Sequence, residues 1–100
     1  MKDFAGIDET VESVRSLVQG IAQSLVDYPE DLRVTAQAES TSTTLTLEVS
    51  SKDLGKVIGK QGRTARSIRT ILSAAGMKLQ HRFELDIAET SSQGVSESKL

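Results

Sequence analysis

The 100-residue sequence contains no cysteine, one histidine (His81), one proline (Pro29) and three aromatic residues, Phe4, Tyr28 and Phe83. Without thiols there is neither a disulfide framework nor a thiolate metal site, and a lone imidazole leaves no histidine-based centre. Zinc chemistry and Cys-His catalysis are excluded on residue types alone. No apolar run approaches the roughly 20 residues needed to span a bilayer. The first residues, with Asp3, Asp8 and Glu9, lack the basic-then-apolar layout of a secretion signal. A cytoplasmic location is expected, with no membrane partner. The carboxylates are scattered, Glu48 and Asp53 falling on different predicted elements, and nothing nearby completes a catalytic pair. The chain reads as a non-enzyme, with no cofactor, no metal and no small-molecule substrate.

What is present is positive charge, unevenly spread. The net charge is -2. Yet between Lys52 and Arg82 eight basic residues (Lys52, Lys56, Lys60, Arg63, Arg66, Arg69, Lys78 and Arg82) stand against one acid, Asp53. Salt confines an electrostatic field to about 8 to 10 Å, so this local excess outweighs the acidic total for any ligand that meets it. An anionic partner is compatible with the sequence despite its pI near 5.3.

At this length, 37% hydrophobic residues supply one modest core and one domain. Ile7, Val11, Val14, Leu17, Val18, Ile21 and Leu25 recur at three- and four-residue intervals, predicting a helix from about Asp8 to Asp27, capped by Asp8 and stopped by Pro29. Gly20 inside it costs about 1 kcal/mol relative to alanine and marks either a close approach to a sheet or nothing. The period then falls to two. Leu32, Val34, Ala36 and Ala38 alternate with polar neighbours in one strand, and Leu45, Leu47 and Val49 in a second, joined as a hairpin through Ser40-Thr41-Ser42. A short helix from a Ser51 cap through Leu54, Val57 and Ile58 ends at Gly59. A longer one, from about Arg63 to Ala75, buries Ala65, Ile68, Ile71, Leu72 and Ala75 and is closed by Gly76. Phe83, Leu85 and Ile87 form a third strand, with His81 a surface residue before it. The expected fold is α+β, in the order helix, strand, strand, helix, helix, strand, with the helices on one face of a three-stranded sheet. Residues 1–7 are expected to be a loose extension, 8–88 the domain, and 89–100 a disordered tail too poor in apolar surface to offset its ordering entropy.

Gly59-Lys60-Gln61-Gly62 separates the two helical patterns. Glycine at both ends lets the backbone turn sharply and come close to a ligand. The following helix points its unpaired amides back at the loop, with Arg63 at its start, which suits an anion such as a phosphate. Arg66 and Arg69 continue from Arg63 as a slanting stripe on the side opposite Ile68 and Leu72. Two other phosphate motifs fail on spacing. Gly55 and Gly59 enclose three residues where a Walker loop needs four, and Gln61 follows Lys60 where that loop has Ser or Thr; a dinucleotide fingerprint needs a glycine at 57 or 61.

The segment Gly55-Lys56-Val57-Ile58-Gly59-Lys60-Gln61-Gly62-Arg63-Thr64, with Ile68 after it, resembles the signature of KH domains, whose Gly-x-x-Gly loop clamps about four nucleotides of single strand. The order of elements resembles the type II KH arrangement. From Val11 to Ala88, including Ser24-Leu25-Val26-Asp27-Tyr28-Pro29 and Asp53-Leu54 ahead of the loop, the chain resembles the small bacterial single-KH family called KhpA. That resemblance implies a cytoplasmic single-stranded RNA-binding protein, a post-transcriptional regulator or RNA chaperone with effects on cell elongation and envelope growth. It also implies a homodimer, or a heterodimer with a second KH-containing protein. The RNA-binding residues expected are Lys56, Val57, Ile58, Gly59, Lys60, Gln61, Gly62, Arg63, Arg66 and Arg69, with Val57 and Ile58 as an apolar floor for the bases. The scarcity of aromatics fits, since RRM and OB-type domains stack bases on aromatic platforms whereas a KH groove has an aliphatic floor. The alternative is a protein-interaction subunit that docks a partner KH protein, the partner holding the RNA.

Overall fold

The computed structural model describes residues 2–90, with side chains from residue 9 onward. Helix α1 (Lys2–Gln23) is followed by a 3-10 turn at Pro29–Asp31 and strands β1 (Arg33–Ala38) and β2 (Ser42–Val49). Helix α2 (Leu54–Ile58), a 3-10 turn at Lys60–Gly62, helix α3 (Arg63–Leu79) and strand β3 (Arg82–Glu89) complete the domain. The sheet order is β1-β2-β3. β1 and β2 form the expected antiparallel hairpin, Val34 opposite Leu47 and Ala36 opposite Leu45. β3 lies parallel to β2, Leu85 opposite Leu45 and Ile87 opposite Leu47. A parallel pair requires a crossover between its strands, and α2 with α3 supplies it.

Alternation along the strands turns Val34, Leu45, Leu47, Val49, Phe83 and Leu85 to one face, where they form one buried cluster with Val11, Val14, Val18 and Ala22 of α1, Val57 of α2, and Ile68 and Leu72 of α3. Each of these side chains other than that of Ala22 contributes about 1.5 to 3 kcal/mol of burial. The mixed α+β architecture and one-sided helix packing agree with the expectation from sequence. An arginine from a flanking helix reaches each free edge of the sheet: Arg15 Nη1 donates to Val34 O (3.2 Å), and Arg69 Nη2 to Leu85 O (2.9 Å). Such side chains discourage edge-to-edge pairing.

Several local expectations are corrected. The segment expected to be loose is helical from Lys2, and Asp8 lies inside α1, where the backbone lacks the extended geometry of a cap. The helix stops at Gln23 rather than at Pro29, which instead heads the 3-10 turn. Leu17 and Ile71, expected in the core, are each 45% exposed, while Ala22 is fully buried. The glycine at position 20 has nothing near it. His81 is buried, not on the surface: its Nε2 pairs with Thr43 Oγ1 at 2.7 Å and its ring packs on Phe83 with centroids 5.1 Å apart. Gly76 does not close α3. It is a buried interior residue whose carbonyl accepts the His81 amide (3.0 Å), and α3 closes at Gln80, in left-handed geometry at φ 54°. Of the expected tail, Glu89 completes β3, and Thr90 donates its amide to Val49 O (2.7 Å) and its hydroxyl to Asp31 O (2.6 Å). The rest of that segment lies outside the described residues.

The two glycines make opposite predictions. A Cβ at position 76 would strike the His81 carbonyl, a backbone atom that cannot yield, so Gly76→Ala is expected to destabilise by about 1 to 3 kcal/mol in urea unfolding despite its better helix propensity. Gly20→Ala, facing open space, is expected to stabilise by about 0.5 to 1 kcal/mol in the same measurement.

Candidate nucleic-acid interface

Helix α2 begins one residue after Asp53, whose side chain has no accessible surface. The expected Ser51 cap is displaced because Asp53 occupies the capping position, and even Asp53 does not cap the helix with its side chain. Its carboxylate turns away to the linker after α1, accepting the amides of Asp27 (3.0 Å) and Tyr28 (2.9 Å). These bonds capture amides that would otherwise prolong α1 or need water, and they fix where α2 starts relative to the rest of the domain. Lys56 reaches back to the same place, its Nζ 3.1 Å from Asp27 Oδ2 and 3.7 Å from Asp53 Oδ1. Burial pushes the Asp53 carboxyl up, but the two amides and the Lys56 ammonium outweigh it, and its pKa lies below the ordinary carboxylate value. The hydrogen bond and charge of Asp27, joined by Asp53, raise that of Lys56.

Ahead of this anchor the chain runs through α2 into the loop. Gly59 has φ 82° and ψ 168°, Gln61 φ 58° and Gly62 φ 73°, so three of the four loop residues have positive φ. The Gly62 amide closes the turn on Gly59 O at 3.0 Å. At Gly59 both conformation and space require glycine, because a Cβ would overlap the Thr64 side chain and lie 2.8 Å from the Thr64 amide nitrogen. At Gly62 only the left-handed φ does, since the space around it is open. Gln61 takes the same left-handed region, at some strain, and its Oε1 accepts a bond from Arg63 Nη2 at 3.1 Å. Thr64 was not singled out from sequence, because its contact with Gly59 exists only once the loop is folded.

The loop overlooks a groove of about 500 Å³ lined by Ile58, Gly62, Ala65, Arg66, Arg69 and Ile87. Ile58 is 36% exposed and serves as a floor. Val57, expected beside it, is fully buried and faces the core, since adjacent residues of a helix point about 100° apart. Its role is to support the loop from beneath. Ile87 takes the place expected for Val57. The alternation of β3 had placed it on the helix side, but its position at the groove depends on the pairing of β3 beside β2. Lys56, committed to Asp27 and Asp53, faces the linker rather than the groove. Lys60, Arg63, Arg66 and Arg69 have no carboxylate partner among the described residues, whose ion pairs involve Arg15, Arg33, Lys56 and Arg82. The groove is therefore cationic on the α3 side, with the opening amides of α3 at one end. Among the described residues no cluster of three His, Cys, Asp or Glu side chains is arranged to hold a metal ion, and no helix is long and apolar enough to cross a membrane.

The family profile described as KhpA/KhpB, KH domain, matches residues 15–87. A curated protein of Halalkalibacterium halodurans named RNA-binding protein KhpA is 45% identical over 76 residues, covering 76% of this chain and all of the relative. The protein of the same name from Bacillus subtilis is 41% identical over 78 residues, 78% of this chain and 96% of the relative. That from Aquifex aeolicus is 42% identical over 79 residues, 79% of this chain and all of the relative. No solved structure matches the chain.

Gly59→Ala is expected to destabilise more than Gly62→Ala in urea unfolding. The second carries a left-handed penalty of about 1 to 2 kcal/mol and the first adds the overlap with Thr64. Because the folded-state pKa of Asp53 is depressed, its stabilisation is fully present above the unfolded value of about 3.9 and is lost as pH falls through the folded pKa. Asp53→Asn is expected to lower the melting temperature at pH 7 and to flatten the melting temperature against pH below pH 4, read by circular dichroism.

Proposed function

The chain belongs to the KhpA/KhpB KH-domain family, and from that premise we propose that it binds single-stranded RNA at the Gly59–Gly62 loop, as a cytoplasmic post-transcriptional regulator or RNA chaperone. The observation that carries this reading is the loop itself: a positive-φ backbone with glycine at both ends, opening onto the start of α3 and flanked by cations that no carboxylate of the described residues neutralises. In this reading the loop amides and Lys60 hold the RNA backbone, and Arg63 and Arg66 extend the grip. Bases lie on Ile58 and Ile87. Recognition involves no bond making. Lys56 and Val57 act from behind, the first by tethering α2 to Asp27 and Asp53, the second by filling the core under the loop.

A tract of about four nucleotides distinguishes at most about 256 sequences, so target choice rests on valency or on a partner. Pairing with a second copy or with another KH protein belongs to the proposal, and apolar Ile71, exposed on α3 at 45%, favours it. A part in cell elongation and envelope growth is carried over from the family resemblance alone. Residues 8–88 are proposed as the functional domain.

Fluorescence anisotropy of a labelled, unstructured RNA tests the site. Lys60→Asp plus Gln61→Asp is expected to weaken binding at least tenfold while circular dichroism stays that of a folded protein, since aspartate tolerates the left-handed geometry of position 61. With three or four phosphate contacts at about 0.7 each, the slope of log K against log salt is expected near -2 to -3. A slope near zero removes the arginine and lysine assignments. No binding by the folded wild type at low salt makes docking of a partner protein the better reading.

A further inference from the structure

The groove at the loop is not the larger opening along the seam between α3 and β3. A second cavity, of about 740 Å³, lies toward the C-terminal end of α3, with Ser73, Gly76 and Met77 on one side and Phe83 and Leu85 on the other. Arg69 lines both cavities, so the two are neighbours along one seam.

Three features suit this second cavity to a flat, hydrogen-bonding ligand. β3 is an edge strand. The amide of Arg82 donates to Thr41 O (3.0 Å) and that of Thr90 to Val49 O (2.7 Å), so the even-numbered residues of β3 turn their peptide groups toward β2. Alternation then turns those of Phe83 and Leu85 to the open edge. Arg69 takes the Leu85 carbonyl (2.9 Å), which leaves the Leu85 amide and both peptide groups of Phe83 without a strand to pair with among the described residues. Second, Met77 is 79% exposed, an unbranched thioether that adapts its shape to whatever lies against it. Third, the absence of a side chain at Gly76 keeps the cavity floor low, with Phe83 Cδ2 3.7 Å from where a Cβ would stand.

Resting on the RNA reading above, we propose that this cavity is a second nucleotide subsite, taking bases of the same single strand beyond the roughly four held at the loop. Arg69 meets the connecting phosphate, Met77 lies against a base face, and the free peptide groups of Phe83 and Leu85 meet base edges. A peptide strand added to the β3 edge fits less well, because Arg69 already occupies the Leu85 carbonyl and would interrupt the ladder. Glu84 and Asp86 also border the cavity, but strand alternation sends their side chains to the sheet face away from the helices. The phosphate path therefore follows the α3 side.

The test compares labelled, unstructured RNA tetramers and octamers by anisotropy at low salt, using the wild type and the uncharged variant Ser73→Leu plus Met77→Ser. Both substituted residues are exposed on α3, and circular dichroism checks folding. An octamer contains five overlapping tetramers, so a protein that grips only four nucleotides gains about fivefold from length. Bases held in the second cavity are expected to raise the wild-type ratio to about 25-fold or more, since a thioether against an aromatic face, joined by hydrogen bonds from free peptide groups, multiplies the gain from length by about five. The variant is expected to fall back to about fivefold with its tetramer affinity unchanged. A wild-type ratio near five, with tetramer binding intact, overturns the subsite and leaves the loop reading standing. So does a large ratio that the variant retains. Failure of both oligomers to bind the folded wild type overturns both.

Discussion

A carboxylate with no accessible surface persists in a small domain only when its oxygens are bonded, and Asp53 meets that condition with two backbone amides and one ammonium. The consequence reaches well beyond the residue. The amides belong to Asp27 and Tyr28, where the chain leaves α1, and Asp53 itself stands where α2 begins. One side chain therefore fixes the entry to the sheet and the base of the loop helix in a single contact. α2 is only five residues long and makes too few internal bonds to hold its own direction. Its orientation comes from this anchor, from Lys56 bridging the same two carboxylates, and from Val57 filling the core below.

The loop depends on that rigidity. Positive φ at Gly59, Gln61 and Gly62 is a locally unfavourable backbone for any residue but glycine, and the glutamine in the middle is held there by the residues around it. What the geometry achieves is access. With no side chain at either end, a phosphate can approach the amides at the start of α3. Close packing of Gly59 on Thr64 leaves the loop little freedom to collapse into the space a ligand would take. Cations without carboxylate partners among the described residues then act across a short distance, while the acids that dominate the total charge lie elsewhere in the sequence.

An aliphatic groove suits modest, sequence-tolerant recognition. Ile58 and Ile87 offer apolar surface without the stacking specificity of aromatic rings, and under the proposed RNA reading the cations meet phosphates, the part of a nucleic acid that is the same at every position. The relatives named RNA-binding protein KhpA share this stretch of chain almost end to end. The family match begins at residue 15, and the turns of α1 ahead of it carry Val11 and Val14 into the same core.

Periodicity alone was sufficient for the order of elements and the hairpin, because alternating and helical patterns reflect which side of each element meets the core. The Gly-x-x-Gly spacing and the basic cluster were likewise legible, since glycine in that setting has few other physical uses. Individual burial was less so. Leu17 and Ile71 fit the apolar stripes yet lie exposed, His81 looked like a surface residue yet is buried on Thr43, and Val57 proved to be core while Ile87 took its place at the groove. The helix limits failed for a related reason: after the amides of Ser24, Leu25 and Val26 bond back to α1, those of Asp27 and Tyr28 go to the Asp53 carboxylate, and Gly76 packs on the His81 backbone rather than closing a helix. The sequence by itself determined the fold class, the loop and the sign of charge around it, because these follow from local residue chemistry. Only the tertiary structure decided which cation faces the groove, which isoleucine floors it and where the chain leaves α1, because those depend on partners brought together from distant parts of the sequence.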